Sequence, residues 1–79
     1  MTDPLVIDAG ELAVEEMMTK IEAGHRLIVR TEFLGSEHEV TLRRDEELYY
    51  CDTPAHLHKH SSEEEMRHCL RKQGYASDS

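Results

Sequence analysis

The stretch from residue 26 to residue 34 limits what this chain can fold into more than any other part of its sequence. Leu27, Val29 and Phe33 occupy alternate positions there, and a period of two is typical of a strand with one buried face. The opposite side of this predicted strand carries Arg26, Ile28, Arg30 and Glu32. A sheet with one apolar and one polar face is therefore the predicted scaffold, and other elements must cover the apolar face.

A second predicted strand, at residues 37–44, pairs with the first through a tight turn. Gly35-Ser36 suits a two-residue turn with glycine in the first place. That turn sets Leu34 opposite Glu37 and Val29 opposite Leu42, so the apolar faces of the two strands agree.

The third predicted strand covers residues 47–51, and its register stays open. The turn before it contains no glycine, asparagine or proline, and a slip of one residue exchanges the two faces of a strand. A three-residue loop is preferred, and it turns Leu48 and Tyr50 towards the core. A loop of two or four residues would turn Tyr49 and Cys51 there instead.

The first helix is predicted at residues 9–23. Asp8 and Glu11 have the spacing of a capping box, and Ile7 before the cap fits a hydrophobic staple. This interpretation explains Ile7 without a strand, while a short extra strand at residues 5–7 is the alternative. The apolar stripe of the helix consists of Val14, Met17, Met18 and Ile21.

The second helix is predicted to begin after Ser62, which forms a capping box with Glu65. Gly24 and Gly74 are the expected ends of the two helices, because glycine readily adopts the left-handed conformation found there. Residues 55–61 are interpreted as a connecting segment rich in histidine. The stripe of the second helix consists of Met66, Cys69 and Leu70.

The predicted fold class is α+β, with the order helix, three-stranded antiparallel meander, helix, and with both helices on one face of the sheet. Residues 1–79 form a single small domain with an ordered core at about 5–75 and a tail at 76–79. One core of this size supplies only ~3–5 kcal/mol of stability. A homodimer would add to that margin, so we keep self-association as an expectation.

The composition is strongly acidic, with 17 Asp and Glu against 9 Lys and Arg and a formal net charge of −8. Nucleic acids and anionic membranes attract basic surfaces, so this charge disfavours both as partners. Adaptation to a salt-rich cytoplasm is the competing explanation. No membrane span or secretion signal is recognised, and Cys51 and Cys69 do not form a secreted disulfide framework. We expect a soluble cytoplasmic protein in which both cysteines are reduced and buried.

A cluster of metal-ligand residue types follows the third strand: Cys51, His56, His58 and His60. Histidines two residues apart on an extended segment project to one side, where they can share a zinc ion. A polar connector facing solvent is the simpler interpretation, because the spacing matches no recognised zinc motif. No catalytic motif is found, so an enzyme is the least favoured class.

The polar face of the sheet is the preferred binding site for another macromolecule, with a free strand edge as a second place for it. Arginines within an acidic protein form a local basic patch, and an aromatic ring beside them can stack on a partner. Ordinary cross-strand pairing with Glu32, Glu39 and Glu47 is the alternative. The predicted partner-binding residues are Arg26, Ile28, Arg30, Thr41, Arg43 and Tyr49.

The predicted order of elements resembles that of double-stranded RNA-binding domains, which makes RNA binding a third hypothesis. In that family the second helix opens with a basic motif that contacts phosphates. Here the same place holds Glu63-Glu64-Glu65. The resemblance is therefore one of element order alone.

Overall fold

Five strands form a single mixed sheet in the computed structural model of this protein, which describes residues 4–33, 35–54 and 56–78. Two helices complete the fold. In chain order the elements are β1 (Leu5–Asp8), α1 (Val14–Glu22), β2 (Leu27–Phe33), β3 (Ser36–Asp45), β4 (Leu48–Asp52), β5 (Leu57–His60) and α2 (Glu63–Lys72).

The predicted three-stranded antiparallel meander is wrong, although the α+β class holds. The strands lie side by side in the order β1-β2-β3-β4-β5. β1 runs parallel to β2, with Leu5 opposite Leu27, and α1 provides the crossover that parallel neighbours need. The extra strand at residues 5–7, kept as an alternative, is correct. The element order shared with double-stranded RNA-binding domains is lost with the meander.

The core lies between one face of the sheet and the two helices. The predicted stripes are confirmed, because Val14, Met17, Met18 and Ile21 of α1 are buried and so are Met66, Cys69 and Leu70 of α2. The sheet contributes its own row of buried side chains to the same cluster: Ile7, Leu27, Val29, Val40, Leu42, Tyr49 and Cys51.

The helix α1 begins later than predicted. Asp8 and Glu11 do form a local turn, in which the Asp8 N–H donates to Glu11 Oε1 at 3.2 Å. Gly10 interrupts the helical path with a φ of 87°, so the helix starts only at Val14. In contrast, α2 confirms its predicted start, because Ser62 Oγ accepts a hydrogen bond from the Glu65 N–H at 3.2 Å.

The first hairpin has its register shifted by two residues from the prediction. Phe33 pairs with Ser36, and Val29 pairs with Val40 rather than with Leu42. Gly35 therefore takes the second place of the turn, with a φ of 77°, and Ser36 belongs to β3. The predicted partner Leu34 lies outside the described residues. A shift of two keeps the same side chains on the apolar face.

The second hairpin overturns the preferred register of the third predicted strand. Asp45 pairs with Leu48, so the loop has two residues, and Glu46 takes the left-handed conformation with a φ of 57°. Tyr49 and Cys51 consequently face the core, as the alternative register had it. Leu48 and Tyr50 lie on the other side of β4.

The segment after α2 folds back onto the start of α1, where the sequence predicted a tail from residue 76. Tyr75 and Ala76 are buried. The Ser77 N–H donates to the Leu12 carbonyl oxygen at 2.8 Å, and Asp78 Oδ1 accepts from the Val14 N–H at 3.0 Å. Among the described residues, no helix is long and apolar enough to cross a membrane.

Candidate functional site

The candidate site is the side of the sheet turned away from both helices, which we call the open face. Cross-strand pairing puts one residue of each strand into its middle row. That row consists of Val6, Ile28, Thr41, Asp52 and Leu57. Its two ends are more apolar than its centre, and the edge strands β1 and β5 supply these ends.

The open face carries every exposed large hydrophobic side chain of the described residues. Val6 is 54% exposed, Leu57 is 49% exposed and Leu48 is 36% exposed, and the register places all three on this side. Ile28 is half-buried between its neighbours. Val6 and Leu57 lie on the two edge strands and Leu48 lies near the second hairpin, so the exposed apolar area is spread over this surface. An open sheet face with exposed apolar side chains is a candidate site of interaction.

One end of the open face is basic. Arg43, Tyr50 and Lys59 stand side by side on β3, β4 and β5. The Arg43 guanidinium lies over the Tyr50 ring, with its Cζ 4.3 Å from the ring centre, a cation–π contact that holds both groups in place. Asp45 is close to Arg43 as well, with 4.0 Å between Oδ2 and Nη1.

The other end of the open face is acidic. Glu32 stands directly opposite Glu37, and Glu39 stands opposite Arg30. Arg30 Nε donates to Glu37 Oε1 at 3.1 Å. Like charges directly opposite each other destabilise a sheet, so this end gains from any additional cation. Asp8 flanks Arg30 on β1 and adds to the negative charge.

The predicted partner-binding residues lie on this face with one exception. Ile28, Arg30, Thr41 and Arg43 are where the alternation put them, and Arg26 is exposed just before β2. Tyr49 is the exception, and its predicted place on this face is wrong. It is only 4% exposed and faces the helices, because the second hairpin has a two-residue loop.

Tyr49 instead ties the sheet to the first helix. Its hydroxyl donates to Glu22 Oε1 at 3.1 Å. Burial and the hydrogen bond to this carboxylate raise the pKa of Tyr49 above its ordinary value, so the ring stays neutral and works as a donor. Tyr50 occupies the position on the open face that the sequence analysis gave to Tyr49.

Sequence reasoning missed the contributions of the two edge strands to the open face. Val6 was placed in a strand only by the alternative interpretation of residues 5–7, and Leu57 and Lys59 were assigned to a connector. A signal was present, because residues 56–60 alternate between histidine and other residues. With a single apolar residue in the stretch, however, that alternation does not resemble a half-buried strand.

The proposed zinc ligands lie on the opposite side, towards α2, and the zinc hypothesis is not supported. Cys51 is buried in the core beside His58 on β5, and the rings of His56 and His58 meet at 5.9 Å between centroids. Across the described ranges 4–33, 35–54 and 56–78, no group of three or more histidine, cysteine or acidic side chains is arranged to hold a metal ion.

A second cluster does form on the helix side, around the two thiols. The side chains of Cys51, Cys69 and Tyr75 belong to the same buried cluster, and both Cys69 and Tyr75 influence the pKa of Cys51. Both cysteines are free and buried, as predicted. Burial raises the pKa of Tyr75 above its ordinary value, so its hydroxyl keeps its proton beside the thiols.

Comparison with the curated proteins and with the solved structures finds no match to this chain. A family does match, over residues 1–78. That span includes every strand of the sheet, both helices and the segment that folds back after α2. The chain therefore belongs to DUF8001, a family of unknown function.

Proposed function

We propose that this protein is a non-catalytic interaction module that binds through its open face, and that the occupant of this face is a second copy of the chain. The observation that carries the proposal is that the exposed apolar residues Val6, Leu48 and Leu57 all lie on the sheet face turned away from both helices. The net charge of −8 disfavours nucleic acid as the occupant.

The distribution of charge on this face favours self-association over other protein partners. The basic end carries Arg43 and Lys59, the acidic end carries Glu32, Glu37 and Glu39, and the middle row lies between them. A surface of this kind is complementary to itself. The same patch can meet its own copy through a two-fold axis, as most homodimers do.

Charge also selects the direction of that axis. An axis across the strands, along the middle row, sets the basic end of one copy over the acidic end of the other. An axis along the strands would set the basic end of one copy over the basic end of the other, and the two ends would repel each other. We therefore propose stacked sheets with the first geometry, in which the mean strand directions differ by about 30° because each sheet is twisted.

The size of the face implies a weak dimer. Five strands about 4.8 Å apart, each contributing roughly five residues about 3.3 Å apart, cover about 400 Å² per copy. The two copies together bury roughly 800 Å², which is below the range of stable specific interfaces and within that of weak, transient ones. Self-association should therefore depend on protein concentration in the micromolar range or above.

The test exchanges charges between the two ends. The variant Arg43→Glu with Lys59→Glu has two acidic ends, and the variant Glu37→Lys with Glu39→Lys has two basic ends. Neither should associate with itself, whereas a mixture of the two should form dimers. Sedimentation velocity over a concentration series measures both results.

A matched control changes the same net charge elsewhere. Arg71→Glu with Lys72→Glu alters exposed residues of α2 and should leave the association of the chain unchanged. A wild-type chain that stays monomeric up to about 1 mM, the weak limit of specific affinity, would exclude a second copy as the occupant. A mixture of the two charge-exchange variants that fails to associate would exclude the proposed axis.

The cytoplasm is the compartment in which we propose that this module works. Its two cysteines are free, and reduced thiols are the rule in the cytoplasm.

A further inference from the structure

A pair of thiols connects the sheet to the second helix, on the side opposite the open face. Cys51 belongs to β4 and Cys69 to α2. Both side chains belong to the same buried core cluster, and each is the largest influence on the pKa of the other, so the two thiols are neighbours. Because the two residues belong to different layers of the fold, a covalent bond between them would link the layers.

Two neighbouring surface cavities border this pair. Cys51 lines a cavity of about 490 Å³ together with Pro54 and Tyr75. Cys69 lines a cavity of about 430 Å³ together with His60. His58 and Gln73 belong to both linings. A solute of the size of hydrogen peroxide fits in either space.

The two thiols differ in their exposure and in their protonation. Cys69 is 7% exposed and Cys51 is 1% exposed. The interaction with Cys51, with smaller contributions from His60 and His58, lowers the pKa of Cys69 to about 6. The interaction with Cys69, together with burial, raises the pKa of Cys51 above its ordinary value. Cys69 is therefore the more readily ionised of the two thiols.

We infer that Cys69 and Cys51 form a reversible disulfide within the chain when a hydroperoxide reaches the cavity beside Cys69. The assignment rests on the contact between the two thiols, on the cavities that border them and on the greater exposure of Cys69. It is independent of the proposed binding function, because neither thiol lies on the open face.

The chemistry proceeds in two displacements. The Cys69 thiolate attacks one oxygen of hydrogen peroxide, the O–O bond breaks, and the departing hydroxide takes up a proton to become water. Cys69 is now a sulfenic acid. The Cys51 sulfur then attacks the Cys69 sulfur, the S–O bond breaks, and the hydroxyl leaves with the Cys51 proton as a second water. Two thiols have lost two electrons, and one peroxide has gained them.

The decisive experiment uses the wild-type chain and hydrogen peroxide. Before oxidation, alkylation in denaturant should add two groups, as measured by intact mass. After oxidation it should add none, and the protein should be lighter by two hydrogens and monomeric on a non-reducing gel. Dithiothreitol should restore both thiols. The oxidised protein should also show a higher thermal midpoint, because the cross-link restricts the unfolded chain.

Variants assign the order of the two steps. In Cys51→Ala, peroxide should leave a sulfenic acid on Cys69 that dimedone traps, whereas Cys69→Ala should give no adduct on Cys51. Equal labelling in the two variants would overturn the assigned order. Two alkylatable thiols in the oxidised wild-type chain, or a disulfide between chains, would overturn the inference itself, and this result needs no variant to fold.

Discussion

Asp78 caps the first helix at Val14, although the two residues are 64 positions apart in the sequence. Its Oδ1 accepts a hydrogen bond from the backbone N–H of Val14 at 3.0 Å. Ala13, the residue at the cap position, has no side-chain oxygen to offer. Glu16 satisfies the Ala13 N–H at 3.2 Å, so two acidic side chains together take the part of a conventional cap. Their charges also suit the positive end of the helix.

Replacing Asp78 by alanine should therefore destabilise the fold. The loss of a capping hydrogen bond costs about 0.5–2 kcal/mol, and urea unfolding measures it directly. Ser77→Ala is the matched control, because Ser77 holds Leu12 through its backbone N–H and should lose less than about 0.5 kcal/mol. Equal stability of the two variants would show that Asp78 does not act as a cap.

Tyr49 and Tyr50 should respond very differently to the same substitution. Tyr49→Ala removes a buried ring and its hydrogen bond to Glu22, which should cost about 3–5 kcal/mol. Tyr50→Ala removes a half-buried ring from the open face and should cost less than about 1 kcal/mol in dilute protein. Thermal unfolding of both variants compares them. A larger loss for Tyr50→Ala would mean that the register of β4 is the three-residue-loop alternative.

The helices were the most predictable part of this fold. The stripe from Val14 to Ile21 and the cap at Ser62 are local patterns, and local patterns are what a sequence displays directly. The start of α1, in contrast, is not determined by a local sequence pattern. It depends on a positive φ at Gly10 and on Asp78, which stands 64 residues further along the chain than Val14.

The strands were harder to predict because their pairing depends on turns and on neighbours. Glu46 occupies a left-handed turn position that glycine or asparagine usually marks, so the loop length before β4 could not be determined from residue types. β5 places histidines where a core strand carries aliphatic residues, because α2 covers it only in part and leaves a cavity beside His58 and His60.

The candidate site was predicted in part for the same reason. Arg30, Arg43 and Ile28 belong to central strands with clear alternation and lie on the open face as expected. The apolar ends of that face come from β1 and β5, which were not predicted as strands. The contact between Cys51 and Cys69 depends on the register of β4, since the preferred register would have pointed Cys51 away from the helices.

The thiol pair should make stability depend on pH between about 6 and 9. The pKa of Cys69 falls from an ordinary value of 9.0 to about 6 in the folded protein, so in this window the unfolded chain holds a proton that the folded chain has released. Stability should therefore rise with pH, by at most about 1.4 kcal/mol per pH unit, and the contribution should be lost as pH falls through 6. Urea unfolding at several pH values measures the slope.

Cys69→Ser is the control for that slope. Other groups titrate in the same window, so the quantity of interest is the difference between the wild-type chain and the variant at each pH. This difference should grow from pH 6 to pH 9. A constant difference would mean that Cys69 keeps its proton in the folded protein.

Glu32 and Glu37 provide a local measure of the repulsion that the acidic composition creates. They stand directly opposite each other, so Glu32→Gln should stabilise the fold by about 0.2–1 kcal/mol at low salt. Glu47→Gln removes the same charge from an exposed position in the second hairpin and is the matched control. An equal gain from both variants would assign the effect to net charge rather than to this pair.

Salt should stabilise the whole fold for the same reason. A formal net charge of −8 on a small domain opposes folding by self-repulsion, and the Debye length falls to about 3 Å at 1 M salt. The thermal midpoint of dilute protein should therefore climb as KCl rises from low to molar concentration. A gain of about 1 kcal/mol corresponds to roughly 4–8 °C in a domain of this size.

Two controls separate charge screening from other effects of salt. Sulfate also strengthens apolar burial, so a comparison of KCl with potassium sulfate distinguishes the two effects. The thermal midpoint of Glu32→Gln should respond to KCl less than that of the wild-type chain. A midpoint that stays flat or falls in KCl would contradict adaptation to a salt-rich cytoplasm, and the acidic end of the open face would then need a cationic partner to explain it.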